Sequence, residues 1–347
     1  MSAREQKPKK KVPTIRDVAT LAGVSTATVS QVLNATGRAS AKANEKVLDA
    51  ISSLNFRPNG NAASLRNRKS KLVGLVVPSI TNAFFARMAS EFEQLAFTHG
   101  YEIAVITSHE NPYTERHRIL TLMSRQLEGL IVYPASDKSI GGGLDPHIMP
   151  PMIVMDRGLG IKGVDTVGLK NEAAGELVAK ELLSLGHRRI GVLLPSTDLA
   201  SSRDRATGIA KTVAALNQQA ECRVVTGGHV IDGARSAIEQ ELRRQDRITA
   251  LVACTNVTTL GAIKAIQGLN LRMPDDITLI GFDDFEWMMA LRPYVSAVAQ
   301  PFKELASKGW ELLLARMSGK AATGVFQRIL LDGELRIRET SGRPALK

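Results

Sequence analysis

"TIRDVATLAGVSTATVSQVLN", Thr14 to Asn34, is the stretch on which the reading of this chain turns. At helical period, Ile15, Val18, Ala19 and Ala22 share one face. Thr14 is placed to cap that helix, with Asp17 three residues on as the acid of a capping box. Gly23 ends the helix where a tight turn needs a permissive backbone. Ser25 then caps a second helix with Val29, Val32 and Leu33 as its apolar stripe. Thr26, Ala27, Ser30 and Gln31 lie on the opposite face. Two short helices about a glycine turn form a helix-turn-helix pattern, and equally an ordinary helical hairpin.

Charge distribution separates these readings. The chain has 347 residues and a formal charge of +11. Residues 1–71 hold 14 Lys/Arg against 4 Asp/Glu, whereas the remainder holds 31 against 30. A basic module on a neutral body points to a polyanion, because cations that neutralise phosphates release counterions. "KPKKK" (7–11) reads as a solubilising tail. Without it, Arg16, Arg38, Lys42, Lys46, Arg57, Arg66, Arg68, Lys69 and Lys71 still leave a surplus. Nucleic acid is the expected partner.

A third helix is predicted from Ser40 as N-cap to about Asn55, with Val47, Leu48, Ile51 and Leu54 facing inward and Pro58 beyond it. "NGNAASLRNRKSK" (59–71) is small, polar and basic around a lone Leu65, the composition of a linker. From Leu72 short aliphatic runs recur: "LVGLVV" (72–77), "EIAVI" (102–106), "GLIVY" (129–133), "MIVM" (152–155), "IGVLL" (190–194), "ITALVA" (248–253) and "ITLIG" (277–281). Helical segments separate most of them, as in parallel strands covered on both faces. The body is therefore read as α/β, with two doubly wound parallel-sheet subdomains and a cleft between them.

Other function classes find little support. "GLGIKG" (158–163) fits GxGxxG, but "VDTVGL" after it alternates like a strand and opens no helix for a pyrophosphate. There is no P-loop, HExxH or GxSxG. His99, His109, His117, His147, His187 and His229 are scattered, and "GHRRI" (186–190) reads as a helix end leading into a strand. Cys222 and Cys254 have no metal-ligand spacing. No catalytic set, metal or cofactor is expected, and with no apolar span or signal-peptide core the expected location is cytoplasmic.

Taken together the motifs resemble the lactose repressor (LacI/GalR) family of bacterial transcription regulators over essentially the whole chain. The specific matches are the opening stretch followed by "EKVLDAISSLNFRPNGNAASL", then "LVGLVVPSITNAFFARM", "LEGLIVYP", "IVMDRG", "LLSLGHRRIGVL", "SSRDRATG", "LGAIKAI", "LIGFDDFE" and "VAQPFKELASKGWELLL", all in family order. The resemblance implies a basic tail (1–13), a helix-turn-helix domain (14–58), a hinge helix (59–71) and an effector-binding and dimerisation domain (72–341) with a periplasmic-binding-protein-like fold.

It also implies roles for residues. Thr26, Ala27 and Gln31 would read base edges in the major groove, with Ile15, Ser25, Thr28, Ser30, Asn34, Arg38 and Ser40 on the phosphate side. Many relatives carry a basic residue at the position of Gln31, so this chain's operator preference should differ. Asn59 and Ala62 would lie in the hinge helix, Leu65 would wedge into the minor groove, and Arg66 would add a contact beside it. In the cleft, Arg205 and Asp283 would hold polar groups of a small-molecule effector, a sugar or related metabolite. Phe84, Phe85, Asp156, Ser201, Thr255 and Asn256 would line it. Asp283 or Asp284 can equally cap a helix, and "TN" (255–256) departs from the family's usual "ND" or "NN". A homodimer on a near-palindromic DNA duplex is expected, without a heptad tail for higher assembly. Alternatives are a stand-alone solute-binding protein, which lacks reason for a basic head, and a nucleotide-dependent enzyme, which lacks a phosphate loop.

Overall fold

The computed structural model describes residues 13–33, 39–56, 70–137, 140, 143–145, 148–216, 219–290 and 292–345. The chain separates into two compact units, 1–70 and 71–347. Each is described in its own frame.

The first unit contains α1 (Ile15–Ala22), α2 (Thr26–Leu33) and α3 (Ala41–Leu54). The capping box at α1 forms: the Thr14 backbone N–H donates to the Asp17 carboxylate at 2.7 Å. Gly23 closes α1 in the left-handed region, φ 64°, a conformation that favours glycine. Ser40 accepts the Ala43 N–H at the start of α3, and Asn55 ends it left-handed. Val18, Ala19, Ala22, Val29, Val47 and Ala50 form the buried core, with Ile15, Val32, Leu33, Ile51 and Leu54 against it. Leu48, expected to face inward, is instead 57% exposed. One residue on a helix turns the side chain by about 100°, so the stripe through Val47, Ala50, Ile51 and Leu54 carries Leu48 outward.

The second unit holds two six-stranded sheets. In the first sheet, β1 (Leu72–Val77), β2 (Glu102–Thr107), β3 (Gly129–Val132), β4 (Met152–Met155), β5 (Asp165–Leu169) and β11 (Arg328–Leu331) run in the order β11-β5-β4-β3-β1-β2, all parallel. The second is built from β6 (Arg189–Leu194), β7 (Glu221–Thr226), β8 (Ala250–Ala253), β9 (Thr278–Phe282), β10 (Ser296–Ala299) and β12 (Glu334–Arg336), ordered β12-β10-β9-β8-β6-β7. It is parallel except for the antiparallel β10–β12 edge. The central strands are buried along nearly their whole length, as parallel strands between helical layers must be.

Among the described residues seven α-helices cover the sheets: α4 (Ala83–Thr98), α5 (Pro112–Met123), α6 (Asn171–Ser184), α7 (Ala200–Ala215), α8 (Ile231–Leu242), α9 (Asn256–Gly268) and α10 (Phe302–Met317). α10 follows β10 in sequence yet packs with α4 in the first subdomain's core, where Trp310, Leu305 and Leu313 meet Phe92, Met88 and Ile153. The chain therefore crosses between subdomains three times, at Lys170, at Gln300–Pro301 and at Asp332–Gly333. Lys170 and Asp332 pair across two of these crossings at 2.8 Å. Strands β7, β10, β11 and β12 were not expected from the apolar runs; β7 and β11 lie at sheet edges, β10 and β12 are short, and none carries a long continuous apolar run.

Candidate functional site

On the first unit, α2 leaves Thr26 and Ala27 exposed, with Thr28, Ser30 and Gln31 half-buried beside them. Ser25 is engaged at the helix start, where its hydroxyl accepts the Thr28 N–H at 3.1 Å. Ile15 is half-buried in the three-helix core rather than displayed. Ser40 is spent on the α3 cap. Asn34, Arg38, Asn59, Ala62, Leu65 and Arg66 lie outside the described residues.

In the second unit a cleft opens at the carboxyl ends of the strands, where α/β sheets place their ligands. Asn82, Phe84, Phe85, Asp156, Arg157, Ser201, Arg205, Thr255, Asn256, Asp283 and Gln300 are among its lining, and it encloses about 40 Å³. All eight residues expected in the cleft are brought together. Phe84 and Phe85 enter from the first turn of α4, edge-to-face with each other at 5.2 Å. Asp156 and Asp283 follow β4 and β9. Ser201 and Arg205 come from α7, and Thr255 and Asn256 from the start of α9.

Their hydrogen bonding separates them into two kinds. Asp283 is buried and saturated: it accepts the Asn256 backbone N–H at 3.0 Å, the Asn256 side-chain amide at 3.0 Å and the Gln300 amide at 2.6 Å. It thus caps the first amide of α9 while facing the cleft. Asp284 turns away to an ion pair with Arg338 and Arg336. Thr255 is the N-cap of α9, its hydroxyl accepting the Thr258 N–H at 3.1 Å. Arg205 is buried, lies over the Phe282 ring at 4.3 Å, and donates to Asn171 Oδ1 at 2.8 Å and to the Cys254 carbonyl. Its second terminal nitrogen makes no hydrogen bond among the described residues. Asp156 likewise accepts no side-chain hydrogen bond there. Burial pushes its carboxyl above the ordinary carboxylate range, against the pull of Arg205 and Arg157.

Contacts across the cleft join the subdomains. Asn256 donates to Asn82 Oδ1 at 2.9 Å. Asp137, from the first subdomain, accepts the Ala200 N–H at the start of α7 and the Gly158 N–H at 2.9 Å, with Arg203 at 3.5 Å. Arg157 forms a two-pronged pair with Glu110 at 2.5 and 3.0 Å, and Glu110 lies 3.4 Å from His229 of the second subdomain. Asn82, Arg157 and Gln300 were not singled out from the sequence, although each sits inside a quoted motif and Arg157 directly follows Asp156.

"GLGIKG" is a loop, with Gly158 and Gly163 at positive φ, and no helix begins there. His187 is buried between the Thr249 hydroxyl at 3.0 Å and the Gly342 carbonyl at 2.9 Å. Cys222 and Cys254 are free thiols that burial pushes up to about 11 and about 12; thiols so raised are poor nucleophiles. Among the described residues no three His, Cys, Asp or Glu side chains cluster as a metal site, and no helix is long and apolar enough to cross a membrane.

Comparison with known proteins places this geometry. Residues 14–59 match the family model for bacterial regulatory proteins of the lacI family, and residues 179–341 that for a periplasmic binding protein-like domain. The ribose operon repressor of Haemophilus influenzae is 30% identical over 334 residues, covering 94% of this chain and 98% of that protein. The HTH-type transcriptional repressor PurR of Vibrio atlanticus is 31% identical over 313 residues, covering 88% and 92%. A lac repressor dimer solved with operator and the anti-inducer ONPF superposes with a TM-score of 0.76 at 27% identity, covering 95% of this chain and 99% of that one.

Proposed function

The chain belongs to the lacI family of bacterial regulatory proteins, DNA-binding repressors with a periplasmic-binding-protein-like domain, and from that premise we propose that it acts as a cytoplasmic homodimer. The dimer binds a near-palindromic operator, because one small helix-turn-helix buries too little surface for specificity and two-fold symmetry supplies the second half-site. Residues 14–58 form the DNA-binding domain, 59–71 the hinge and 72–341 the effector and dimerisation domain, with 1–13 as a basic tail. Thr26, Ala27 and Gln31 read base edges, and Leu65 is the minor-groove wedge. A small-molecule effector binds between the subdomains and changes operator affinity through its different affinity for the two states of the cleft.

The observation that carries the effector reading is the convergence of Arg205, Asp156, Asp283, Phe84 and Phe85 on one cleft between two subdomains joined by three crossings. The test begins with selection of DNA fragments on the full chain, followed by binding to the selected sequence at fixed salt, since phosphate contacts make affinity salt-dependent. A near-palindromic consensus is expected, with Gln31→Ala losing about tenfold or more on it and little on random DNA. Retention of all fragments alike overturns the reading. For the effector arm, Arg205→Lys keeps a cation but loses the planar fork. It should bind the operator within a few-fold of wild type and lose the response to any compound that releases or tightens the wild-type complex. An unchanged response overturns the cleft assignment.

A further inference from the structure

At the mouth of the cleft, the loop between β2 and α5 turns through two consecutive left-handed residues, His109 (φ 54°) and Glu110 (φ 56°). Neither is glycine, and such conformations persist where the surrounding structure holds them. Glu110 is held by both carboxylate oxygens: Oε2 accepts from Arg157 Nη1 at 2.5 Å and Oε1 from Nη2 at 3.0 Å. Arg157 is almost fully buried, lies over the Phe85 ring and directly follows Asp156 in the cleft wall. His229, just before α8 in the second subdomain, brings Nδ1 to 3.4 Å from Glu110 Oε1, with its side chain 37% exposed. One carboxylate thus faces a guanidinium and an imidazole from opposite sides of the cleft. The remaining charged neighbours are engaged elsewhere. His109 turns Nε2 to the Thr107 hydroxyl at 3.1 Å, and Asp232, in the first turn of α8, lies 4.0 Å from Lys264. The other contacts across the cleft, Asn82 with Asn256 and Asp137 with Ala200 and Arg203, contain no histidine.

We propose that the contact of His229 with the Glu110–Arg157 pair is a proton-released clasp, holding the cleft closed while the imidazole is neutral and letting it open when His229 is protonated. This rests on the cleft having the two states that effector control requires, and it makes the proton a second ligand of the same equilibrium. The charge of Glu110 is already balanced by the two-pronged Arg157. A proton on His229 therefore adds a second cation to one carboxylate in a half-desolvated place, which disfavours the charge. Burial holds the His229 pKa below the ordinary 6.5, against the pull of Glu110 and with the repulsion of Arg157. In an open cleft His229 leaves both groups for water and regains its ordinary affinity for a proton. The open state then binds the proton more tightly. The clasp's contribution is complete above about pH 6.5 and declines as pH falls through the closed-state value.

The experiment is solution scattering of the full chain without DNA, at pH 7.5 and 5.5 and fixed salt, on wild type, His229→Gln and His229→Asn. Both amides are polar and neither takes up a proton in this range. Circular dichroism melts establish that each sample is folded at both pH values, and the forward intensity establishes that its mass is unchanged. The wild-type radius of gyration should rise at pH 5.5, and the rise should be lost in whichever amide variant is folded. A rise of equal size in the folded variants assigns it to another group, His109 first, and overturns the proposal. A wild-type radius that does not change with pH overturns it as well. The cleft reading fails separately. If a compound that releases the operator shifts the wild-type radius at pH 7.5 while the proton does not, the two-state cleft stands and only the clasp falls. If neither the proton nor any such compound shifts it, both fall.

Discussion

Asp156 and Asp283 occupy equivalent positions in the two sheets, at the carboxyl ends of β4 and β9, each with left-handed backbone (φ 60° and 83°). Aspartate tolerates that region better than most residues. The two carboxylates nevertheless have different surroundings. Three donors converge on Asp283, whereas Asp156 accepts none among the described side chains.

Opposite stability effects should follow from the same substitution at these two positions. Asp283→Asn places an amide among three donors and should lose about 2 kcal/mol in denaturant unfolding, the scale of unsatisfied buried partners. Asp156→Asn should raise stability at pH 7. The native pKa of Asp156 lies above its ordinary 3.8, so its ionisation disfavours the folded state as pH rises through that interval. The gain should vanish near pH 3 and below. Equal destabilisation by both variants would contradict the asymmetry.

Asp137→Ala removes the carboxylate that caps α7 from the opposite subdomain. Leu199, the residue before α7, offers no side-chain cap of its own. The loss should be about 1 kcal/mol, as for other helix caps. It should also widen the distribution of cleft openings, read as a larger radius of gyration by solution scattering. An unchanged scattering profile would reduce Asp137 to a local cap.

Gly175→Ala should disturb the proposed effector site from a distance. α6 and α7 cross so closely that a Cβ on Gly175 would run into the backbone carbonyl of Arg205, and one on Gly208 into that of Glu172. Backbone atoms cannot yield as a flexible side chain does. Overpacking of this kind costs about 1–3 kcal/mol, and it would move Arg205 itself. Calorimetry should show lowered stability together with weakened effector binding; lowered stability alone would mean that the helices separate without shifting Arg205.

Acid should weaken the fold through His187. Burial depresses its pKa below the ordinary 6.5, and burial acts likewise on His229. The unfolded chain then binds more protons, so the contribution is complete above about pH 6.5 and declines as pH falls through the depressed native values. Urea midpoints at pH 7.5 and 5.5 should differ in the wild type and differ less in His187→Gln, whatever that variant's stability at the higher pH. An equal decline in both would remove His187 as the source.

How much of this was legible follows from range. The helix-turn-helix stood in the sequence because its signals are local: Thr14 and Asp17, Gly23, Ser25 and Ser40 lie within one turn of the helix ends they define. The central strands were legible for the same reason, since a strand covered on both faces must be apolar throughout. β7 and β11 escaped because edge strands need no such run, and Leu48 was misplaced because two neighbouring apolar positions cannot share one narrow stripe.

From sequence alone, then, came the local elements, the basic head, the α/β class and the family resemblance with its eight cleft positions. Only the tertiary structure decided that α10 and β11 return to the first subdomain and that β11 pairs with β5, as Arg328 does with Thr166. Only there, too, is Asp283 saturated while Asp156 accepts no hydrogen bond from the described side chains. Whether a carboxylate is satisfied depends on donors brought from distant parts of the chain, Gln300 to Asp283 for one. No periodicity within either segment encodes that meeting.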